Sequence, residues 1–315
     1  MNQVDLSRPR TLREYLRLFF TGFAMGAADI VPGVSGGTMA FILGIYETLI
    51  NAIKSFDLRA FRLTIGLKLH ELFDHIPVRF LLALGLGLAT AIFTLSNVLG
   101  RALDDQPALV FAFFGGLILA SIVAIGVKLR WTPSTLFALV GGAVFAFVLV
   151  GLNPLENADH SPPVLFFSGM IAIMAMILPG ISGSFILLIL GQYAFVLGAV
   201  RSFDFLSIAF VGLGAIVGLG LFSRVLSWLL RHYEQVTIAA LVGFMVGSLR
   251  KIAHEVELGA GQATSFGTAE ILFALALLVI GFLLVSALDH LQSRSNPVIG
   301  LFTRARKPAS VDAAV

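Results

Sequence analysis

The sequence predicts an all-α polytopic membrane protein made of two inverted repeats, each a broken, re-entrant helix hairpin followed by three membrane-spanning helices. Three observations carry this. The 315-residue chain is 58% hydrophobic and only 12% charged, far more apolar than a soluble domain. Uncharged runs such as Phe80 to Leu99, Ser134 to Leu152 and Ile271 to Leu288 are long enough to cross a hydrocarbon core of about 30 Å. A shift of 147 residues lays Ala28-Asp-Ile-Val-Pro-Gly-Val-Ser-Gly-Gly37 on Ala175-Met-Ile-Leu-Pro-Gly-Ile-Ser-Gly-Ser184.

From the N-terminus, Met1 to Arg17 has no apolar core of the kind a cleavable signal carries, so this segment is expected to be retained. The first apolar arm, about Leu18 to Val31, runs into Pro32-Gly33, and a second arm follows over Ser35 to Ile53. Proline removes a helical donor and clashes with the preceding turn, and glycine permits conformations closed to other residues, so the helix breaks here. An arm of this length rises about 22 Å, short of a full span, which favours a re-entrant hairpin with its tip near the midplane. The next segment, 58 to 79, sets Leu58, Phe61, Ile65, Leu69, Leu72 and Ile76 against Arg59, Arg62, Lys68, Glu71 and Asp74 at helical spacing. It reads as an amphipathic helix lying in the interface. Three spanning helices complete the first repeat, residues 1–157.

The second repeat, residues 158–315, opens on the equivalent arms, Val164 to Leu178 and Ser182 to Val200, broken at Pro179-Gly180. The match between copies continues through Ile42-Leu43-Gly44 and Tyr46 on Ile189-Leu190-Gly191 and Tyr193, and closes at Ser55-Phe56-Asp57 on Ser202-Phe203-Asp204. Gly116 to Ser121 likewise resembles Gly243 to Ser248. An odd number of crossings per copy requires the copies to be inverted. Basic residues agree with this, because cytoplasmic loops hold the excess of Lys and Arg. Arg8, Arg10, Arg13, Arg17, Lys54, Arg59, Arg62, Lys68, Arg79, Lys128, Arg130, Arg224, Arg231, Arg294, Arg304, Arg306 and Lys307 fall inside, Arg101, Arg201, Arg250 and Lys251 outside, and the Asn153 to Pro163 loop has none. Both termini are expected in the cytoplasm.

Backbone exposed by a break at that depth must be buried in protein or line a polar cavity, so the two tips are expected to face each other. Each second arm starts with Ser35-Gly36-Gly37-Thr38 or Ser182-Gly183-Ser184, bringing free N–H groups, hydroxyls and a positive helix end to one point. Such a point attracts anions, and paired broken helices are a common way for transporters to build a site. Gly33, Ser35, Gly36, Gly37, Thr38, Gly180, Ser182, Gly183 and Ser184 are therefore candidate binding residues, with Tyr46, Tyr193 and Gln192 further along the path, although an interface belt or a hydrogen-bonded pair accounts for the two tyrosines equally well. Lys54 and Arg201 occupy equivalent repeat positions and are placed to meet an anionic head at either entrance, although snorkelling at helix ends is the commoner explanation for such residues. Asp29 has Met176 as its counterpart, so symmetry does not account for it, and an ionisable group inside a membrane is a functional candidate by default. With Glu47 it is a candidate carrier of a coupling proton. Gly22-x-x-x-Gly26, Gly214-x-x-x-Gly218 and Gly243-x-x-x-Gly247 read instead as helix-packing motifs.

Other chemistries find less support. With no cysteine there is neither disulfide nor thiolate site. The Gly-x-Ser-Gly pattern matches that of intramembrane serine proteases, but all six histidines lie in predicted loops or helix ends, away from the motif serines. His70 and His75 are five apart rather than the four a helical zinc motif needs, and Gly85-Leu-Gly-Leu lacks the context of a dinucleotide site. No cofactor, metal or nucleic-acid partner is expected.

At Asp29-Ile-Val-Pro-Gly-Val-Ser-Gly-Gly-Thr38 and Leu178-Pro-Gly-Ile-Ser-Gly-Ser184 the chain closely resembles the bacterial DUF368 family of polyprenyl-phosphate transporters, and the resemblance covers nearly its whole length. It implies a flippase in the bacterial cytoplasmic membrane that returns undecaprenyl phosphate from the outer to the inner leaflet. It implies no enzymatic activity. The residues alone stop at a midplane site for an anionic group, and leave a small-anion transporter or channel as the alternative.

Overall fold

The computed structural model describes residues 6–31, 34–262 and 267–293. Among these there are fourteen helices and no strand. The first break is flanked by α1 (Leu12–Ile30), α2 (Gly36–Ile42) and α3 (Tyr46–Lys54). Then come α4 (Leu58–Ile65), α5 (Leu69–His75), α6 (Val78–Asp105), α7 (Pro107–Gly126) and α8 (Pro133–Val150). The second break is flanked by α9 (Pro162–Ile177), α10 (Gly183–Ile189) and α11 (Tyr193–Ser202), followed by α12 (Phe205–His232), α13 (Glu234–Gln262) and α14 (Thr268–Ser293). Six helices, α6, α7, α8, α12, α13 and α14, are long and apolar enough to cross a membrane, or up to eight spans if each bent pair counts as one. The chain is a multi-pass membrane protein.

Local chemistry sets the helix ends. Thr11 and Glu14 close a capping box on α1, and Pro107, Pro133 and Pro162 start α7, α8 and α9 where a missing N–H costs nothing. Three predicted elements are divided where the sequence suggested one helix each. The second arm of each hairpin is two helices rather than one, α2 and α3 meeting at 119° and α10 and α11 at 108°. Gly44 (φ 70°) and Gly191 (φ 68°) turn the chain there, in a conformation that side chains resist. The 58–79 segment likewise forms α4 and α5, separated by Gly66, Leu67 and Lys68 with Leu67 at φ 51°, and ends at Pro77, so Arg79 belongs to α6.

Packing follows small residues. Gly22 lies so close to the Leu84 carbonyl, and Gly87 to that of Phe19, that a Cβ at either would overlap the oxygen, which locks α1 onto α6. In the second copy Gly169 meets the Val211 carbonyl and Gly214 that of Phe166, locking α9 onto α12. The remaining helices pair between copies. Gly116 and Gly281 join α7 to α14 through the Leu278 and Phe113 carbonyls, and Gly243 and Gly142 join α13 to α8 through those of Leu139 and Ala240. Lys128 adds an ion pair at 2.6 Å to Asp289, a buried carboxylate on α14. Such close backbone approach lets helices associate in lipid, where apolar burial alone offers little. Gly214→Leu is therefore expected to lower the thermal midpoint and yield of the purified protein through an overpacking cost of about 1–3 kcal/mol. Gly212→Leu, two residues away on the same helix, where a Cβ would meet nothing within 4 Å, is expected to leave both unchanged.

Candidate functional site

The Pro-Gly-x-Ser-Gly breaks end α1 and α9 and start α2 and α10. Pro32 and Gly33 lie outside the described residues, as do the tail residues Arg294, Arg304, Arg306 and Lys307. α9 stops because Pro179 cannot continue it, and Gly180 turns the chain at φ 87°. The last carbonyls of α9 are then without helical partners, and a buried carbonyl needs one.

Those partners come from the other copy. The Ser35 hydroxyl donates to the Met176 carbonyl at 3.3 Å, and the Tyr46 hydroxyl to that of Ile177 at 3.1 Å. In return the Gly180 N–H donates to Thr38 Oγ1 at 2.9 Å. A Cβ on Gly37 would sit 2.9 Å from the Ile177 oxygen, so only glycine allows this approach. Ser35, Thr38 and Tyr46 are almost wholly buried. The two motifs thus meet, joined by hydroxyl-to-backbone bonds across more than 130 residues of chain.

The two helix starts are unlike. At α2, Asp29 Oδ1 accepts from the Gly36 N–H at 2.6 Å, and Ser35 Oγ accepts from Gly37 N–H at 3.1 Å. A carboxylate of the chain itself therefore occupies the positive end of α2, where an anion would go. At α10 there is no side-chain cap; Ser182 and Ser184 face one another at 2.8 Å, with Ser184 exposed. Met176, the counterpart of Asp29, supplies no carboxylate. Of the two helix starts, that of α10 is therefore the one without a side-chain cap, and Ser184 is its exposed hydroxyl.

The other candidates are dispersed. Buried Gln192 accepts through Oε1 from His160 Nδ1–H at 2.8 Å and donates through Nε2 to the Asp159 carbonyl at 2.8 Å. It anchors the loop before α9, where the Ser161 hydroxyl and amide hold the Asp159 carboxyl below the usual range. Among the described residues no hydrogen bond joins Tyr193, Glu47 or Arg201 to either motif. Tyr193 is 42% exposed, Arg201 is exposed on α11, and Glu47 lies within electrostatic range of Glu234. Neither motif serine is bonded to a histidine among the described residues.

Sequence reasoning missed the α9 carbonyls, since backbone groups carry no side-chain signature. It also missed Ser248 and Met245 on α13, which crowd Gly180 at 3.0 Å from the place a Cβ would take. The repeated Gly116 to Ser121 and Gly243 to Ser248 segments were the available signal: Ser121 and Ser248 are both fully buried.

The model of the VCA0040-like, undecaprenyl phosphate translocase-like family matches residues 25–269 of this chain. A polyprenyl-phosphate transporter of Vibrio cholerae serotype O1 is 45% identical over 239 residues, 76% of this chain and 77% of that protein. A polyprenyl-phosphate transporter of Staphylococcus aureus is 33% identical over 249 residues, 72% of this chain and 82% of that protein. No solved structure matches the chain. These relatives are transporters rather than enzymes. Both motifs lie within the matched span, and the chain belongs to the VCA0040-like, undecaprenyl phosphate translocase-like family.

Proposed function

We propose that this protein moves undecaprenyl or a related polyprenyl phosphate from the outer to the inner leaflet of the bacterial cytoplasmic membrane, returning the carrier lipid for envelope synthesis. The observation that carries the reading is the meeting of the two helix breaks through Ser35, Thr38, Tyr46 and Gly180. Irregular backbone at membrane depth is tolerated where it is buried in protein or lines a polar cavity, and phosphate oxygens are matched by amides and hydroxyls. The names of the relatives supply the lipid.

In this reading residues 1–157 and 158–315 are inverted halves of one membrane domain, with re-entrant hairpins and both termini in the cytoplasm. The equivalent glycine contacts of α1 with α6 and α9 with α12 support the repeat. The cysteine-free sequence makes orientation measurable: Glu156→Cys is expected to react with an impermeant thiol reagent in intact cells, and Arg59→Cys only after permeabilisation. The reverse pattern contradicts the topology.

The head binds at the tips while the prenyl tail stays in lipid, and rocking of one half against the other exposes the head to alternate leaflets. Inward movement of an anion opposes an inside-negative potential by about 2.3 kcal/mol per charge per 100 mV, which calls for coupling to a proton or cation, or for consumption of the lipid inside. Asp29 is the first candidate for this. Its carboxylate and the lipid phosphate compete for the positive end of α2, so protonation of one favours entry of the other; Glu47 is a second candidate, nearer the mouth. In proteoliposomes the protein is expected to accelerate transfer of polyprenyl phosphate between leaflets without accumulating inorganic phosphate. Phosphate uptake with the lipid left in place would favour a small-anion transporter instead.

A further inference from the structure

Away from the tips, α3 and α12 hold three cations together. Lys54, at the end of α3, donates to Ser227 Oγ on α12 at 3.4 Å, and Ser227, buried, donates in turn to Asn51 Oδ1 at 3.1 Å. Arg224 and Arg231 flank Ser227 one turn to either side on the same face of α12, and both act electrostatically on Lys54. Their own acceptors are neutral: Arg231 Nε donates to the Ser227 carbonyl at 3.2 Å, and Arg224 to that of Gly220. Among the described residues none of the three pairs with a carboxylate. The acid on α3, Glu47, lies within electrostatic range of Glu234 and forms no ion pair among the described residues. Like charges within electrostatic range of one another repel, and an anion bound among them relieves that repulsion.

The surroundings fix the depth. Trp228 lies between the two arginines on α12, packs against His232 and Tyr233, and is 47% exposed. Aromatic residues of this kind mark the headgroup level of a membrane. Toward the N-terminus of α12, Val225, Leu221, Val217 and Leu213 continue the face as an exposed apolar strip. A charged trap thus stands at headgroup depth with an apolar track leading from it, which suits a lipid whose head is a doubly charged phosphomonoester better than one carrying a singly charged diester.

We propose that Lys54, Arg224 and Arg231 form a second phosphate site, separate from the helix breaks, that holds the phosphomonoester head of the transported lipid at the membrane surface before or after its passage through the tips. The inference rests on the lipid-transport reading. It makes the surface cluster a capture site, so its loss is felt as weaker apparent affinity rather than slower movement once the lipid is bound.

The test uses the full-length protein with Lys54, Arg224 and Arg231 all changed to Gln, against a control of equal charge loss, Arg59→Gln with Arg62→Gln and Arg130→Gln. In proteoliposomes the cluster variant is expected to need about tenfold more polyprenyl phosphate for half-maximal transfer, with the saturating rate retained and the control unaffected. The same half-maximal concentration in variant and wild type overturns the proposal. Should the wild type move no lipid at all, the transport reading fails, yet the site is still tested by thermal protection of the detergent-solubilised protein. There the comparison is made in the Ser35→Leu plus Ser182→Leu background, which lacks the tip site. Protection by polyprenyl phosphate, absent with polyprenol and lost in the cluster variant, supports the lipid-head assignment. Equal protection by inorganic phosphate at the same concentration overturns the lipid source, and protection that survives in the cluster variant overturns the site.

Discussion

Gly180→Val is expected to bring transfer of polyprenyl phosphate down to the rate of protein-free liposomes. The position has φ 87°, which a β-branched residue resists, and even a bare Cβ would lie 3.0 Å from the Met245 Cα and from Ser248 Oγ. Backbone strain of about 1–3 kcal/mol and overpacking of similar size therefore coincide where the two halves touch. The subtler variants at its partner separate hydrogen bonding from crowding. Thr38→Val keeps the shape but removes the acceptor of the Gly180 N–H, leaving a buried donor unpaired at about 1–3 kcal/mol. Thr38→Ser keeps the acceptor and is expected to stay close to wild type, with thermal melts and transfer rates of the purified proteins as the readout. Full transfer by Thr38→Val would show that the contact between breaks is dispensable.

Asp29→Asn is expected to tighten binding of polyprenyl phosphate and remove most of its pH dependence. In the wild type a charged carboxylate holds the Gly36 N–H at 2.6 Å, and an incoming phosphate must displace it against like-charge repulsion. A hydrogen bond to an ionised acceptor is worth about 1.5–3 kcal/mol, and one between neutral groups about 0.5–1.5. Protonation of Asp29 weakens the first toward the second and removes the repulsion, so wild-type binding is expected to strengthen as pH falls. Asparagine is neutral at every pH and holds the protein near the acidic limit, an expected gain of about tenfold at neutral pH. The second ionisation of the phosphate itself, near about 6, is common to both proteins and cancels in the comparison. Identical pH profiles for the two would remove Asp29 from the coupling role.

Much of this fold was legible because the bilayer imposes long uncharged runs, and the spans beginning at Val78, Pro107 and Pro133 and their second-half counterparts answer to them. The repeat was read from the residue identity that persists at the motif. What escaped was conformation inside an apolar pattern. Gly44 and Gly191 sit among residues that continue a helical period, so each second arm read as a single helix, although both turn the chain at positive φ. Leu67 between α4 and α5 escaped for the same reason, with Gly66 before it as the only cue.

At the candidate site the sequence supplied Ser35, Thr38, Gly180, Ser182 and the singularity of Asp29. It did not supply their partners, which are backbone carbonyls of Met176 and Ile177 and the amide of Gly36. Tyr46 illustrates the difference. Its repeat partner Tyr193 is 42% exposed while Tyr46 is buried and bonded across the interface, so equal positions in the two copies do unequal work. Lys54, Arg224 and Arg231 each read singly as a flanking charge; only the packing of α3 on α12 brings them together.

If the paired helix breaks form the path of the phosphate head, transfer between leaflets depends on both of them. Polyprenyl phosphate is placed in one leaflet of liposomes holding the wild type, the Ser35→Leu plus Ser182→Leu variant, or no protein, and its appearance in the other leaflet is followed. Acceleration is expected from the wild type alone, with the variant, shown to be folded by its thermal melt, at the protein-free rate. A wild type no faster than empty liposomes, or a double variant as fast as the wild type, would contradict it.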